Sequence, residues 1–246
     1  MMWTDARGLS AQGIDMTLAI VVYNGYRAYF ASKHPEEAER AQSYLRDIAS
    51  VVDLCASPFL RLVSYMFHHY SYRWLCSNRA RSSNGTGNAA DLEKESAVQM
   101  FDLAVMGVKS EFGTNTDLQQ FVTGWSLVNK LLCYLMITNQ FVVTTDQGIK
   151  TTSIALARKY IDVLQRRLSG LTLRQKVKYY LCQARMCEYE KDMESAASYM
   201  REVLTLLTEA AGAFCKVDID NIRKYHDFVL RLSLPVPNTG TCRSRF

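Results

Sequence analysis

The residues best suited to chemistry are cations interleaved with aromatic rings. Between Arg158 and Arg185 stand eight basic side chains: Arg158, Lys159, Arg166, Arg167, Arg174, Lys176, Lys178 and Arg185. Only Asp162 opposes them, which gives a local balance of +7, and Tyr160, Tyr179 and Tyr180 are set among them. Cations that neutralise phosphates and rings that stack on bases are the two contributions a single-stranded nucleic acid needs. A second reading fits the same residues: a solvated helix face whose tyrosines point into a core. The segment marks either a surface for RNA or another acidic partner, or an ordinary helix exterior.

Other reactive residues are less well spaced. His68 and His69 are adjacent, and neighbours on a helix point about 100° apart, so packing rather than shared metal binding is expected of them. His34 precedes Pro35, and His226 lies between Tyr225 and Asp227; neither has a ligand partner at metal spacing. The seven cysteines are odd in number and include no CxxC pair, which argues against a zinc site or a disulfide framework. Cys182 and Cys187 are five apart, off the three-or-four spacing that shares a helix face. Buried, reduced thiols of a cytoplasmic or nuclear protein are the expectation. The chain contains no phosphate-cradling glycine loop, HExxH, GxSxG or kinase signature. The reading is a protein that is not an enzyme and takes no metal or cofactor.

The elements that must carry these residues are helices. Hydrophobic residues make up 48% of the 246, enough for a continuous core. Only 12 Gly and 4 Pro punctuate them, too few for a sandwich or barrel that turns about every 8–12 residues. Apolar periodicity predicts helices over Ile14–Ser32, from Glu36 to Leu54, and over Phe59–Cys76, Asp91–Lys109 and Leu118–Gln140. It continues over Ile154–Leu168, Leu173–Glu190, Met193–Ala211 and Ile219–Leu232. The Phe59–Cys76 helix is aromatic on several sides, so neighbours should sandwich it. Asn78–Asn88, reading NRARSSNGTGN, is expected to be a mobile loop between an N-terminal and a C-terminal part. Breaks are expected at Gly113-Thr114-Asn115, Gln147-Gly148 and Pro235-Val236-Pro237, with residues 238–246 a disordered tail. No run reaches the ~18 apolar residues of a membrane span. The fold class expected is all-α: one domain over residues 1–237, a right-handed superhelix of stacked antiparallel helix pairs, tetratricopeptide-like.

A small residue followed by a bulky and then an apolar one recurs as Ala41-Leu45-Ile48, Ala97-Phe101-Ala104, Ala157-Ile161-Leu164 and Ala196-Met200-Val203. The alanine admits a partner helix and the bulky residue fills the space beside it. Tyr180, Ala184 and Cys187, then Asp192, then Ala196, Met200 and Val203 fit the spacing of one tetratricopeptide hairpin.

Four stretches carry a family resemblance: Leu92–Gly113, Trp125–Gln140, Arg174–Leu204 and Ile222–Pro235. In sequence, order and character they resemble the helical-repeat part of PCI proteins, and within that family the PCI subunits of the nuclear mRNA-export complex. The resemblance implies a scaffold that docks other protein subunits, with RNA contact through the basic surface and no membrane. The winged-helix half that follows in the family has no counterpart before Phe246. Ile222, Phe228, Val229 and Leu232 of the last helix are therefore expected to lack cover. A tetratricopeptide adaptor for an extended peptide is the alternative, and an enzyme on a helical fold a more remote one.

Overall fold

The computed structural model describes residues 11–54, 57–81, 87–111, 114, 116–138, 140–143, 149–209 and 212–233. Among them it holds nine α-helices and no strand, only the isolated bridge between Ile137 and Val143. The helices are α1 (Ala11–Ala31), α2 (Ala38–Leu54), α3 (Pro58–Arg81), α4 (Gly87–Glu111), α5 (Thr116–Tyr134), α6 (Thr151–Gln165), α7 (Leu173–Tyr189), α8 (Met193–Glu209) and α9 (Lys216–Ser233). No described helix is long and apolar enough to cross a membrane.

Packing follows chain order. Each helix lies mainly against one sequence neighbour, while α3 meets α1 more than α2, and α7 meets α5 more than α6. Short connections between such neighbours make antiparallel pairs, and the pairs stack. The alanines explain the close approaches: Ala41, Ala97, Ala157 and Ala196 are all fully buried. Gly25 does the same for α1 on α3, where a Cβ would come within 2.4 Å of the Phe67 ring. As the aromatic pattern requires, α3 is enclosed by α1, α2 and α4. The most extensive hydrophobic cluster runs through α5 to α9, with Phe141 and Phe214 contributed by the connections.

Helix ends are set by local chemistry. Thr172 and Gln175 form a capping box at the start of α7, each side chain bonding the other's backbone N–H. The end of α7 is a Schellman motif. Asp192 N–H donates to Cys187 C=O at 2.9 Å and Lys191 N–H to Glu188 C=O at 3.1 Å, with Lys191 left-handed at φ 68°. Asp192 then caps α8 by accepting from Ser195 N–H at 3.1 Å. These two residues make the tight turn of the α7–α8 hairpin.

Three expectations are corrected. First, α5 ends at Tyr134 rather than Gln140. Ile137 N–H donates to Leu132 C=O and Met136 N–H to Cys133 C=O, another Schellman end with Met136 at φ 57°. The chain then doubles back, Thr138 and Val142 exchanging hydrogen bonds. Second, the expected loop from Asn78 is helical as far as Arg81, and α4 begins at Gly87. Asn78 is buried, its amide donating to Ser32 C=O at 2.8 Å just past the end of α1. Third, Ile222 and Val229 of α9 are fully buried against the rest of the domain, and Phe228 is half-buried. Of the residues expected to lack cover, only Leu232 is exposed, together with Leu230. Residues 82–86, Gly113, Asn115, Gln147-Gly148, the Pro235-Val236-Pro237 stop and the 238–246 tail lie outside the described residues.

Candidate functional site

The eight basic residues do not form one surface. Four are committed to the protein itself. Lys178 is buried at 6% exposure, its ammonium donating to Asn129 Oδ1 at 3.0 Å, while Asn129 Nδ2 donates to Trp125 C=O. Arg185, buried at 4%, pairs with Glu188 at 2.6 Å, and the Tyr225 hydroxyl donates to the same carboxylate at 2.6 Å. This ties α9 to α7. Arg174 lies 3.3 Å from the buried Asp218 carboxylate and also donates to Ala213 C=O. Arg158, though exposed, forms a 2.6 Å ion pair with Glu190. Lys178 and Arg185 are therefore corrections: they belong to the interior, not to a surface.

The cations left to solvent are Lys159, Arg166 and Arg167, with Lys176 half-buried. Lys159 and Arg166 are seven apart and share a side of α6 and its C-terminal turn. Arg167 stands at a small cleft beside Gln120, Gly124 and Leu171. The tyrosines are packed rather than presented. Tyr179 is fully buried and its hydroxyl accepts from Gln183. Tyr160 stacks on Tyr134 at 5.9 Å, and Tyr180 on Tyr199 at 6.2 Å.

Lys178 belongs to a buried cationic cluster that no motif announced. Arg73 on α3, 5% exposed, donates to the Ile137 carbonyl just past α5. His69, one turn before it on α3, is fully buried against Phe101 and Trp125. Burial pushes the Lys178 amine down to about 7, and the Arg73 and Arg174 charges push the same way. His69 is held well below the ordinary histidine range by burial, then by Arg73 and Lys178, so it is neutral. Burial raises the Cys182 thiol beside them, which keeps it protonated. Within the cluster Lys178 and His69 are thus biased toward their neutral forms, while Arg174 keeps its charge beside Asp218. A signal for it was present in the sequence: Gln175, Lys178, Cys182 and Arg185 follow 3-4-3 spacing, one face of a helix, and that face is the buried one.

His68 Nδ1 bonds to the Ser64 carbonyl at 2.9 Å, and burial lowers its pKa. Among the described cysteines Cys182 is buried, Cys133 and Cys187 are half-buried, and Cys215 is exposed, against the expectation of uniform burial. No group of three or more His, Cys, Asp or Glu residues able to hold a metal occurs among the described residues. A half-open cleft of about 600 Å³ lies along α2 and α3, with Arg46, Arg61, Tyr65 and Tyr72 around an apolar floor of Leu45 and Val52. Neither guanidinium has an ion-pair partner among the described residues, and Asp53 also lines the cleft, which could seat an apolar side chain beside a single acid. Comparison with protein-family models, curated proteins and solved structures finds no match to this chain.

Proposed function

We propose that the chain is a non-catalytic scaffold subunit, a right-handed superhelix that docks other protein subunits along its length. The observation that carries this reading is the chain-order stacking of helix pairs, a build that generates long lateral faces for partners. Large apolar side chains on those faces remain in water, Met106 on α4 and Phe121 on α5 among them. The sequence resemblance to PCI subunits supports nuclear mRNA export as the process and a cytoplasmic or nuclear setting. Under that reading RNA contact falls to Lys159, Arg166, Arg167 and Lys176, which carry no hydrogen bond or ion pair among the described residues. The test is affinity purification of the tagged chain from native extract, followed by cross-linking and mass spectrometry. Stoichiometric partner subunits cross-linked to α4, α5 or the α2–α3 cleft are expected. Recovery of the chain alone under gentle conditions would refute the scaffold.

A further inference from the structure

Helix α1 is apolar on two opposite faces. Its inner face, with Val21, Gly25 and Ala28, packs on α2 and α3. On the other side Met16 is 61% exposed, Ile20 42%, Tyr23 62% and Phe30 56%, with Tyr26 (53%) at the flank, its ring edge-on to Phe67 of α3 at 5.4 Å. From Met16 to Ala31 the only charged residue is Arg27, and it is occupied: it donates to the Tyr44 hydroxyl at 2.6 Å and lies over the Tyr44 ring. A helix hydrophobic all round is a helix buried on both sides.

The spacing of the stripe says what covers it. Counted from Tyr23, the exposed residues stand at minus seven, minus three, zero, plus three and plus seven, so the pattern reads the same from either end. A two-fold axis through Tyr23 would set Met16 of one copy against Phe30 of the other, Ile20 against Tyr26, and Tyr23 against itself. Each aliphatic or thioether side chain then meets an aromatic ring, a favourable pairing for methionine in particular. Arg27, whose guanidinium lies 5.3 Å over the Tyr23 ring, falls opposite Ala19 of the other copy. An isologous interface requires such self-complementarity, and the three-and-four spacing of a helix face supplies it. We propose that the outer face of α1 is a self-association surface, on which a second copy of this chain packs antiparallel through Met16, Ile20, Tyr23, Tyr26 and Phe30.

The area is of the right order. At roughly 200 Å² for a fully exposed side chain of this size, the stripe keeps roughly 550 Å² in water per copy. A pair would remove roughly 1,100 Å² in total, at the small end of specific interfaces, so the dimer is reversible. The inference does not rest on the scaffold reading, whose partner faces lie elsewhere.

The test is sedimentation velocity of the full chain from low to high micromolar concentration. The weight-average mass is expected to climb from one chain toward two. Tyr23→Glu sits on the axis and places two carboxylates against each other. It should abolish the climb while helix content and melting temperature stay those of the wild type. Met16→Glu and Phe30→Lys should each weaken association at least tenfold, and the two together should restore it, because each introduced acid then faces an introduced base on the other copy. A monomer at all concentrations overturns the proposal, as does a Tyr23→Glu chain that still dimerises. A double variant no better than either single one rules out the antiparallel register. Should Tyr23→Glu fail to fold, the charge-swap pair decides alone.

Discussion

Replacing Lys178 by methionine should stabilise the protein near neutral pH, and the gain should shrink as the pH rises. In the unfolded chain the amine keeps its proton to about pH 10.5; in the folded chain it releases it near 7, chiefly because it is buried. Between those values the unfolded state binds more protons, so wild-type stability increases with pH. Below about pH 7 both states are charged and the full cost of burying the ammonium is present. The interval from 7 to 10.5 sets that cost at about 5 kcal/mol, at about 1.4 kcal/mol per pH unit. Methionine removes it but leaves Asn129 Oδ1 without its donor, which costs about 1–3 kcal/mol. The net gain expected at pH 6 is therefore about 2–4 kcal/mol. Urea denaturation of both proteins at intervals from pH 6 to 8.5 measures it, since subtracting the curves cancels the titrating groups that do not interact with Lys178. The advantage of Lys178→Met should fall by up to about 1.4 kcal/mol per unit above pH 7. Parallel curves would mean that the amine is solvated or paired with an acid, and the buried cationic cluster would have to be abandoned.

Three further outcomes are expected. Lys191→Gly relieves a left-handed residue at the end of α7 and should add about 0.5–1 kcal/mol, read as a melting temperature raised by about 2–4 °C per kcal/mol. Gly25→Ala drives a methyl into the Phe67 ring and should cost about 1–3 kcal/mol in denaturant titration, despite the better helix former. Arg166→Glu with Arg167→Glu should leave the melting temperature within a degree or so, both side chains being exposed. If RNA binds there, the same pair should flatten the salt dependence of single-strand affinity by up to about 1.4 in log–log slope, at about 0.7 per phosphate contact.

Much of the fold was legible because periodicity and burial express the same physics. Ala41, Leu45 and Ile48 of α2 follow from spacing alone, and all three are buried. The α7–α8 hairpin followed from Ala184, Ala196 and an acid placed to cap the second helix. What was missed turns on polar groups that serve the interior. Asn78 and the residues after it look like loop because their composition is polar, yet the amide is spent on a carbonyl 46 positions away. The end of α5 carries no glycine, since Met136 adopts the left-handed conformation that glycine signals elsewhere. Counting charge along the chain assigns every cation to water. It could not separate Lys178 from Lys176, two residues apart on one helix, because only the helical phase of the neighbours distinguishes them.

The Arg73 contact has a kinetic consequence. A stack held mostly by neighbours in sequence has low contact order, so each hairpin can form early and from many starting points. Arg73 departs from that economy of distance: its guanidinium joins the Ile137 carbonyl across 64 residues, and the carbonyl is in position only after α5 has ended and the chain has turned back. The loop it closes is among the longest in the molecule. A bond of that span is expected to form late in folding, and Arg73→Met should then speed unfolding more than it slows folding in stopped-flow kinetics. Arg73 is thus less a determinant of which structure forms than of how long that structure lasts.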